Sequence, residues 1–394
     1  MSTSTSTAAS PGRGVRDNLP GLLSLGLAGC LAVTTEMLPV GLLPAIGGAF
    51  GVSASTTGLL VTVFAGMVAV FSVPLTLVTR HLPRKPLILV TVAAYLVSNV
   101  VIVCAPVFAV VAAGRVIGGI SHALFFAVCI GYVPRLVEHG QVGRGLAIVG
   151  GGTTAGFVLG VPLSTALGTA VGWRNAFLVL AVAAGLVLLL LLRFLPAVNG
   201  GAKGQKAGTR RARTDLGVVV SSNMLTFIGH YTVYTYISVV LLTAGAREAG
   251  LGPLLLVCGI CGLVGLWCAG RTIDRRPRGT VLAVLGLLCA AILGVAGAQS
   301  WFVVTVIAVA LWCGVFGAVA STYQTAAVRA LPDAPEVAGA WINATANVGI
   351  AAGALIGGLL LGSDSAITYL SLTGAALVVA GLGVAVVGQR AFPG

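Results

Sequence analysis

The chain has 394 residues, of which 58% are hydrophobic and only 8% charged, with a mean hydropathy of +1.07. A soluble domain carries about 25% charged residues, so this chain has too few to cover a water-facing surface, and a soluble fold is excluded. The formal net charge of +13 does not point to nucleic acid, because the basic residues recur in alternate loops, the pattern of membrane orientation rather than of a binding patch.

Residues 1–18, beginning MSTSTSTAASPGRG, are polar and Ser/Thr-rich and read as a disordered cytoplasmic tail, without the short apolar core of a signal peptide. Apolar runs of about 20 residues then recur, each long enough to cross a bilayer. Only helices or closed barrels satisfy their backbone groups in lipid, and these runs are helical in length. The expected class is an all-α membrane protein of twelve transmembrane helices. The first six spans fall at 19–43, 57–79, 86–106, 108–132, 143–168 and 173–193. Residues 194–215, with Lys203, Lys206, Arg210, Arg211 and Arg213, read as a solvated linker. Six more spans fall at 216–242, 252–272, 279–297, 301–325, 337–361 and 367–388, and 389–394 form a short tail. The expected units are thus an N-terminal half at 19–193 and a C-terminal half at 216–388.

The basic residues test this count. Nineteen of them, including Arg84, Lys85, Arg135, Arg193, the linker five, Arg275, Arg278 and Arg390, fall on the side shared by both termini. Two, Arg174 and Arg247, fall on the other side, and Arg115 is left inside span four. That bias places both termini in the cytoplasm of a multi-pass cell (inner) membrane protein. All eight cysteines lie in expected spans, so no disulfide framework is implied. Cys258 and Cys261 form a CxxC inside an apolar helix without further ligands, which reads as packing.

The halves repeat. Thr76-Leu-Val-Thr-Arg80-His-Leu-Pro83-Arg84-Lys85 follows span two, and Gly270-Arg-Thr-Ile-Asp274-Arg275-Arg-Pro277-Arg278-Gly follows span eight, 194 residues later. Transporters are often built from two such repeats, with the substrate site between them near the bilayer midplane. Glycines at 152, 156 and 160 in span five, and at 349, 353 and 357 in span eleven, expose backbone along one helix face and permit close helix contact; Pro162 bends span five. These residues serve packing, gating or both.

The second loop, Gly270-x3-Asp274-Arg275-x-Pro277-Arg278, resembles the loop signature of the major facilitator superfamily, with Pro277 where Gly is usual. The first loop keeps Arg84 and Lys85 but has Arg80 where the signature has Asp. Span four carries Arg115-Val-Ile-Gly118-Gly119-x7-Ala127, similar to the superfamily's Arg-x3-Gly element. Span five carries Gly152-x3-Gly156-x3-Gly160-Val-Pro162-Leu-x4-Gly168 followed by Gly172-Trp173-Arg174, similar to the antiporter element of exporters, with Val161-Pro162 in place of Gly-Pro. With Thr35-Glu36-x6-Leu43-Pro44 and Thr235-Tyr236-Ile237, the chain resembles the twelve-span drug:proton antiporter family, in particular its arabinose-efflux-permease-like and chloramphenicol-resistance-like members. The resemblance covers residues 19–388 and implies proton-coupled efflux. It also implies gating or structural roles for Arg84, Gly156, Gly160, Pro162, Asp274, Arg275 and Arg278.

Glu36 is the one acidic residue clearly inside an expected span. Intramembrane carboxylates are costly and by default functional. Glu36 and Arg115 lie at equal depth, roughly 11 Å from the outer end, so the two can pair. Burial favours the neutral carboxyl group and a guanidinium favours the ionised one, so a site moving between these environments can load and release a proton. The other reading of Glu36 is a permanently protonated or paired structural group. His122 lies seven residues after Arg115 on a similar face, and His230 lies 194 residues after Glu36. Each is a proton-relay candidate or a hydrogen-bonded helix residue. The substrate cavity is expected at Tyr231, Tyr234, Thr235, Gln324, Asn343 and Asn347, which can equally partner other helices. Few charges and several aromatics favour neutral or weakly cationic substrates.

The reading is therefore a proton-coupled antiporter exporting small organic molecules or drugs, working as a monomer in the bilayer and without a cofactor. A sugar or nucleoside exporter, or a proton-coupled nutrient importer, shares these features. An intramembrane enzyme would need a nucleophile or metal constellation that is not visible, a channel would need a selectivity-filter repeat, and no GxxxxGK[ST] motif supplies ATP.

Overall fold

The computed structural model describes residues 14–79, 81–138, 141–198, 210–273, 275–299, 301–332, 335–362 and 365–392. Arg80, Lys203, Lys206 and Asp274, and most of the expected tail at 1–18, lie outside the described residues. The described chain is helical, with no strand, and contains twelve helical spans long and apolar enough to cross a membrane.

Four spans open the chain: α1 (Leu19–Phe50), α2 (Ala54–Thr79), α3 (Arg84–Val103) and α4 (Phe108–Leu136). α1 stops at Gly51, whose φ of 63° is the left-handed cap that glycine tolerates. Span five is α5 (Val142–Ala155), a π-helical turn at Gly156–Gly160, and α6 (Val161–Val171). Pro162 was expected to bend this span, and the distortion lies in the turn just before it, where the ring removes a helix donor. Gly172, at φ 99°, turns the chain into α7 (Trp173–Phe194).

Span seven, expected as one helix over 216–242, is two: α8 (Arg210–Tyr234) and α9 (Ile237–Thr243). α8 starts at Arg210, so the last six residues of the expected linker are helical. α10 (Leu251–Thr272) and α11 (Pro277–Ala298) follow. Span ten breaks at Gly317-Ala318 into α12 (Phe302–Phe316) and α13 (Val319–Ala330), before α14 (Pro335–Leu360) and α15 (Ala366–Val387). Of residues 14–18, expected within a disordered tail, Val15 and Asn18 are buried against the N-terminal half. Asn18 is buried and its Nδ2 donates to the Leu136 carbonyl at 2.9 Å, while the Val15 N–H donates to Gln141 Oε1 at 2.8 Å.

Each half has its own apolar core. The N-terminal core gathers residues such as Leu25, Tyr95, Tyr132 and Phe177. The C-terminal core gathers Leu288, Trp312 and Tyr323, and also takes in Met37, Val40 and Leu43 of α1 and Val61 and Ala65 of α2. The halves meet along two seams, α2 against α14 and α6 against α10. A two-fold exchange of the halves converts one seam into the other. Contacts between the halves gather at the end far from the termini: Ser238 Oγ donates to the Val40 carbonyl at 3.0 Å, and Tyr231 Oη donates to Met37 Sδ at 3.8 Å. Met37 and Tyr231 are themselves 194 residues apart, so the repeat's pseudo-two-fold axis passes between them.

The glycine stripes pack within each half. Gly152, Gly156 and Gly160 lie against Gly26, Cys30 and Thr34 of α1, so two i, i+4 series interlock. Gly349, Gly353 and Gly357 lie likewise against α8 and Tyr236. A Cβ on Gly156 would stand 2.7 Å from the Cys30 carbonyl oxygen and 3.1 Å from the Val33 Cβ. Gly156→Val is expected to cost about 1–3 kcal/mol by forcing the helices apart. Thermal unfolding in detergent checks this, and an unchanged Tm would contradict it.

Candidate functional site

The site is built around two prolines of α1. Pro39 has no N–H for the carbonyl of Thr35, and Pro44 has none for that of Val40, four residues earlier in each case. Both freed carbonyls find partners. Ser238 of the other half donates to Val40 as described, and Arg115 Nη1 donates to Thr35 at 2.6 Å. Arg115 is 1% exposed and makes two further bonds to backbone: Nη2 to the Glu36 carbonyl at 2.7 Å and Nε to the Leu60 carbonyl at 3.1 Å. Its guanidinium carbon lies 4.0 Å from the Phe64 ring centroid. The planar fork suits this task, because it reaches three carbonyls on two helices from one side chain.

The equal depth of Glu36 and Arg115 left their contact open, and the structure brings them together. The two are in contact, but through the Glu36 carbonyl; the carboxylate is directed to His122. Glu36 Oε2 lies 3.5 Å from His122 Nε2, and both side chains are buried. Aromatic rings enclose His122, with Phe126 at 4.6 Å, Phe64 at 5.4 Å and Tyr95 at 6.4 Å between centroids. A carboxyl group and an imidazole buried side by side can share one proton between O and N once they close from 3.5 Å to hydrogen-bond distance.

His230 sits in a second aromatic cluster. Its ring is stacked on Phe316 (3.2 Å, 5° between planes) and near-parallel to Tyr234 (4.9 Å, 23°), with Trp312 at 5.1 Å and Tyr231 at 4.9 Å. The repeat explains the placement. The 194-residue offset takes Glu36 to His230 and also His122 to Phe316, so both members of the Glu36–His122 pair have images that touch in the C-terminal half. Trp312, Phe316, Phe64, Tyr95, Phe126 and Met37 were not singled out in the sequence; applying the offset to His122 is the signal that would have found Phe316.

The other expected cavity residues divide. Tyr231 is buried and Tyr234 half-buried beside His230. Thr235 is buried, its hydroxyl donating to the Tyr231 carbonyl of its own helix at 2.8 Å. Gln324 is exposed and packs by Gly339. It lies eight residues past Phe316, about 12 Å along the span, and so does not join the His230 cluster. Asn343 and Asn347 pair as their spacing implied, Asn347 Nδ2 donating to the Asn343 carbonyl at 3.0 Å. Of the loop residues, Arg84 is buried and its backbone N–H donates to the Val198 carbonyl at 3.0 Å, whereas Arg275 is exposed and Arg278 half-buried. Arg174 fastens the opposite end of the N-terminal half, with Nη2 donating to the Ala105 carbonyl at 3.0 Å and its guanidinium 4.3 Å from the Trp173 ring.

Comparison with known proteins agrees with this architecture. The sequence model of the Major Facilitator Superfamily matches residues 25–354. The chain is 35% identical over 373 residues to the chloramphenicol efflux pump of Mycobacterium tuberculosis, covering 91% of this chain and 90% of the pump. It is 28% identical over 368 residues to a probable sugar efflux transporter of Pasteurella multocida, covering 92% and 90%. Among solved structures, a D-xylose–proton symporter superposes with a TM-score of 0.75 at 17% identity, covering 95% of this chain and 98% of the symporter. A bacterial homologue of the human lysosomal transporter Spinster superposes with a TM-score of 0.72 at 17% identity, covering 95% and 98%.

Proposed function

Because the chain belongs to the Major Facilitator Superfamily and is a membrane transporter rather than an enzyme, we propose that it is a proton-coupled antiporter exporting small, neutral or weakly cationic organic molecules. The buried Glu36–His122 pair carries this reading. With the carboxylate ionised and the imidazole neutral, the pair bears one negative charge, and one added proton cancels it. A carrier that returns loaded with that proton and leaves loaded with substrate exchanges the two. Arg115 is a positioning residue here: by holding the carbonyls of Thr35 and Glu36 it fixes the stretch of α1 from which the carboxylate projects.

The positive-inside rule puts the basic end, with both termini, in the cytoplasm. Contacts between the halves gather at the opposite end, which supports an inward-facing state closed toward the exterior. Export then requires the Ser238–Val40 and Tyr231–Met37 contacts to part as the halves rock. Arg84, Arg275 and Arg278 lie at the basic end, where they would gate the alternate state. The protein works as a monomer, with a bilayer and a small-molecule substrate as its partners and no cofactor beyond the proton gradient.

Chloramphenicol is the first cargo to test, since the 35%-identical relatives are named for it; a sugar is the second, from the Pasteurella relative's name. The experiment is uptake into vesicles with an imposed pH gradient. Accumulation of a candidate that collapses with the gradient is expected. Accumulation of every exported candidate that persists after collapse would contradict the reading.

A further inference from the structure

The His230 cluster holds two buried polar groups that nothing among the described residues satisfies. His230 is 1% exposed, and neither Nδ1 nor Nε2 has a hydrogen-bond partner; Trp312 is fully buried, and its Nε1–H has none either. Buried polar groups are nearly always bonded in native proteins, and each exception asks for an explanation. Two exceptions with ring centroids 5.1 Å apart share one explanation. A neutral imidazole supplies one N–H and one acceptor nitrogen, and an indole supplies one N–H. The cluster therefore offers two donors and one acceptor on aromatic walls. His230 takes part in no ion pair, unlike His122. The four rings against it, Phe316, Tyr234, Trp312 and Tyr231, carry no carboxylate with which it could relay a proton. The image of the coupling pair has kept the geometry and lost the proton chemistry.

We propose that this cluster is the recognition subsite of the C-terminal half for an uncharged aromatic ring bearing hydrogen-bond acceptors, with the N–H groups of Trp312 and His230 as its donors. The ligand's ring takes the place of Phe316, whose phenyl lies flat on the imidazole at 3.2 Å. The backbone allows this exchange. Phe316 is the last residue of α12 and Tyr234 the last of α8, so the two rings that sandwich His230 both stand at helix breaks. Rotation at Gly317-Ala318 or at Thr235-Tyr236 parts them. Tyr231, which joins the same cluster, touches Met37 on the axis between the halves. An occupied subsite is thus one residue from Glu36, where substrate and proton can be felt together.

This subsite rests on the reading of the chain as an exporter of small organic molecules, and the two can fail separately. The probes are labelled chloramphenicol, a neutral molecule with one aromatic ring and several acceptors, and labelled L-arabinose, neutral but without a ring of that kind. Binding to the purified full chain is measured at equilibrium. Wild type is expected to bind chloramphenicol in preference to arabinose. Trp312→Phe and His230→Leu are each expected to weaken chloramphenicol binding at least about fivefold, the worth of one net hydrogen bond. Phe316→Ala removes the competing ring and is expected to tighten binding severalfold, a gain that misfolding cannot imitate. Binding of neither probe, binding of arabinose alone, or unchanged affinity in all three variants overturns the subsite. If the variants weaken binding as expected while a pH gradient drives no transport in wild type, the subsite stands and the coupling reading falls.

Discussion

Glu36→Gln is expected to abolish gradient-driven accumulation while leaving the protein folded in the membrane. Glutamine has the shape of the acid and keeps an oxygen toward His122, so the packing around α1 survives; it cannot take up a proton. Each unit of pH gradient is worth about 1.4 kcal/mol per proton moved, or roughly tenfold accumulation of an exchanged substrate. In vesicles the wild type should approach that ratio, and Glu36→Gln should level off near equal concentrations on both sides. Downhill movement of substrate should persist in the variant, because the rocking of the halves does not need the carboxylate. Normal coupled accumulation by Glu36→Gln would sink the assignment.

The second large effect is expected at Arg115, on stability rather than on proton uptake. Arg115→Ala strips the partner from the Thr35 carbonyl, which Pro39 has already deprived of its helix bond. A buried acceptor left unmet costs about 1–3 kcal/mol, and the packing of the guanidinium over Phe64 is lost as well. Arg115→Lys should recover little, since an ammonium cannot fork across three carbonyls. The revealing variant is the double one. Pro39→Ala restores an N–H four residues after Thr35, so the same Arg115→Ala change should be milder in that background, by about 1 kcal/mol or more. Residues sharing one hydrogen-bonding group couple in this way, whereas independent sites add within about 0.5 kcal/mol. Thermal unfolding of the four proteins in detergent gives the cycle, and strict additivity would refute the link between Pro39 and Arg115.

What could be read in the sequence was whatever depends on solvent preference and repetition. Apolar runs marked the spans, alternate arginines set the expected orientation, and the recurring loop pointed to two halves. Glu36 stood out because a carboxylate in an apolar run is costly wherever its side chain turns. Its partner did not follow, because depth along a helix says nothing of azimuth. Arg115 and Glu36 do lie at one level, yet the guanidinium is claimed by the carbonyl of Thr35, which Pro39 leaves without a helix donor, and by those of Glu36 and Leu60. A proline in a sequence shows which bond is missing; only the packed structure shows who replaces it. The breaks in spans seven and ten were hidden for a similar reason. Thr235-Tyr236 and Gly317-Ala318 carry no proline, and the apolar pattern runs straight through them. Thr235 and Gln324 were picked out by polarity inside a span, which does not distinguish cavity lining from a local partner. One hydroxyl is satisfied by its own helix, and the amide lies about two turns of helix beyond the aromatic cluster. Applied to the whole Glu36–His122 pair, the 194-residue repeat sets that pair in one half against His230 stacked on Phe316 in the other.

The most direct measurement is of the proton itself. Proteoliposomes containing the full chain and an internal pH indicator are given an outward or inward gradient of chloramphenicol, with no pH gradient imposed. The account predicts that substrate entering the vesicles drives protons out, that substrate leaving draws protons in, and that Glu36→Gln shows substrate movement without either. Substrate movement in wild type with no change of internal pH, or with protons travelling in the same direction as substrate, would contradict it.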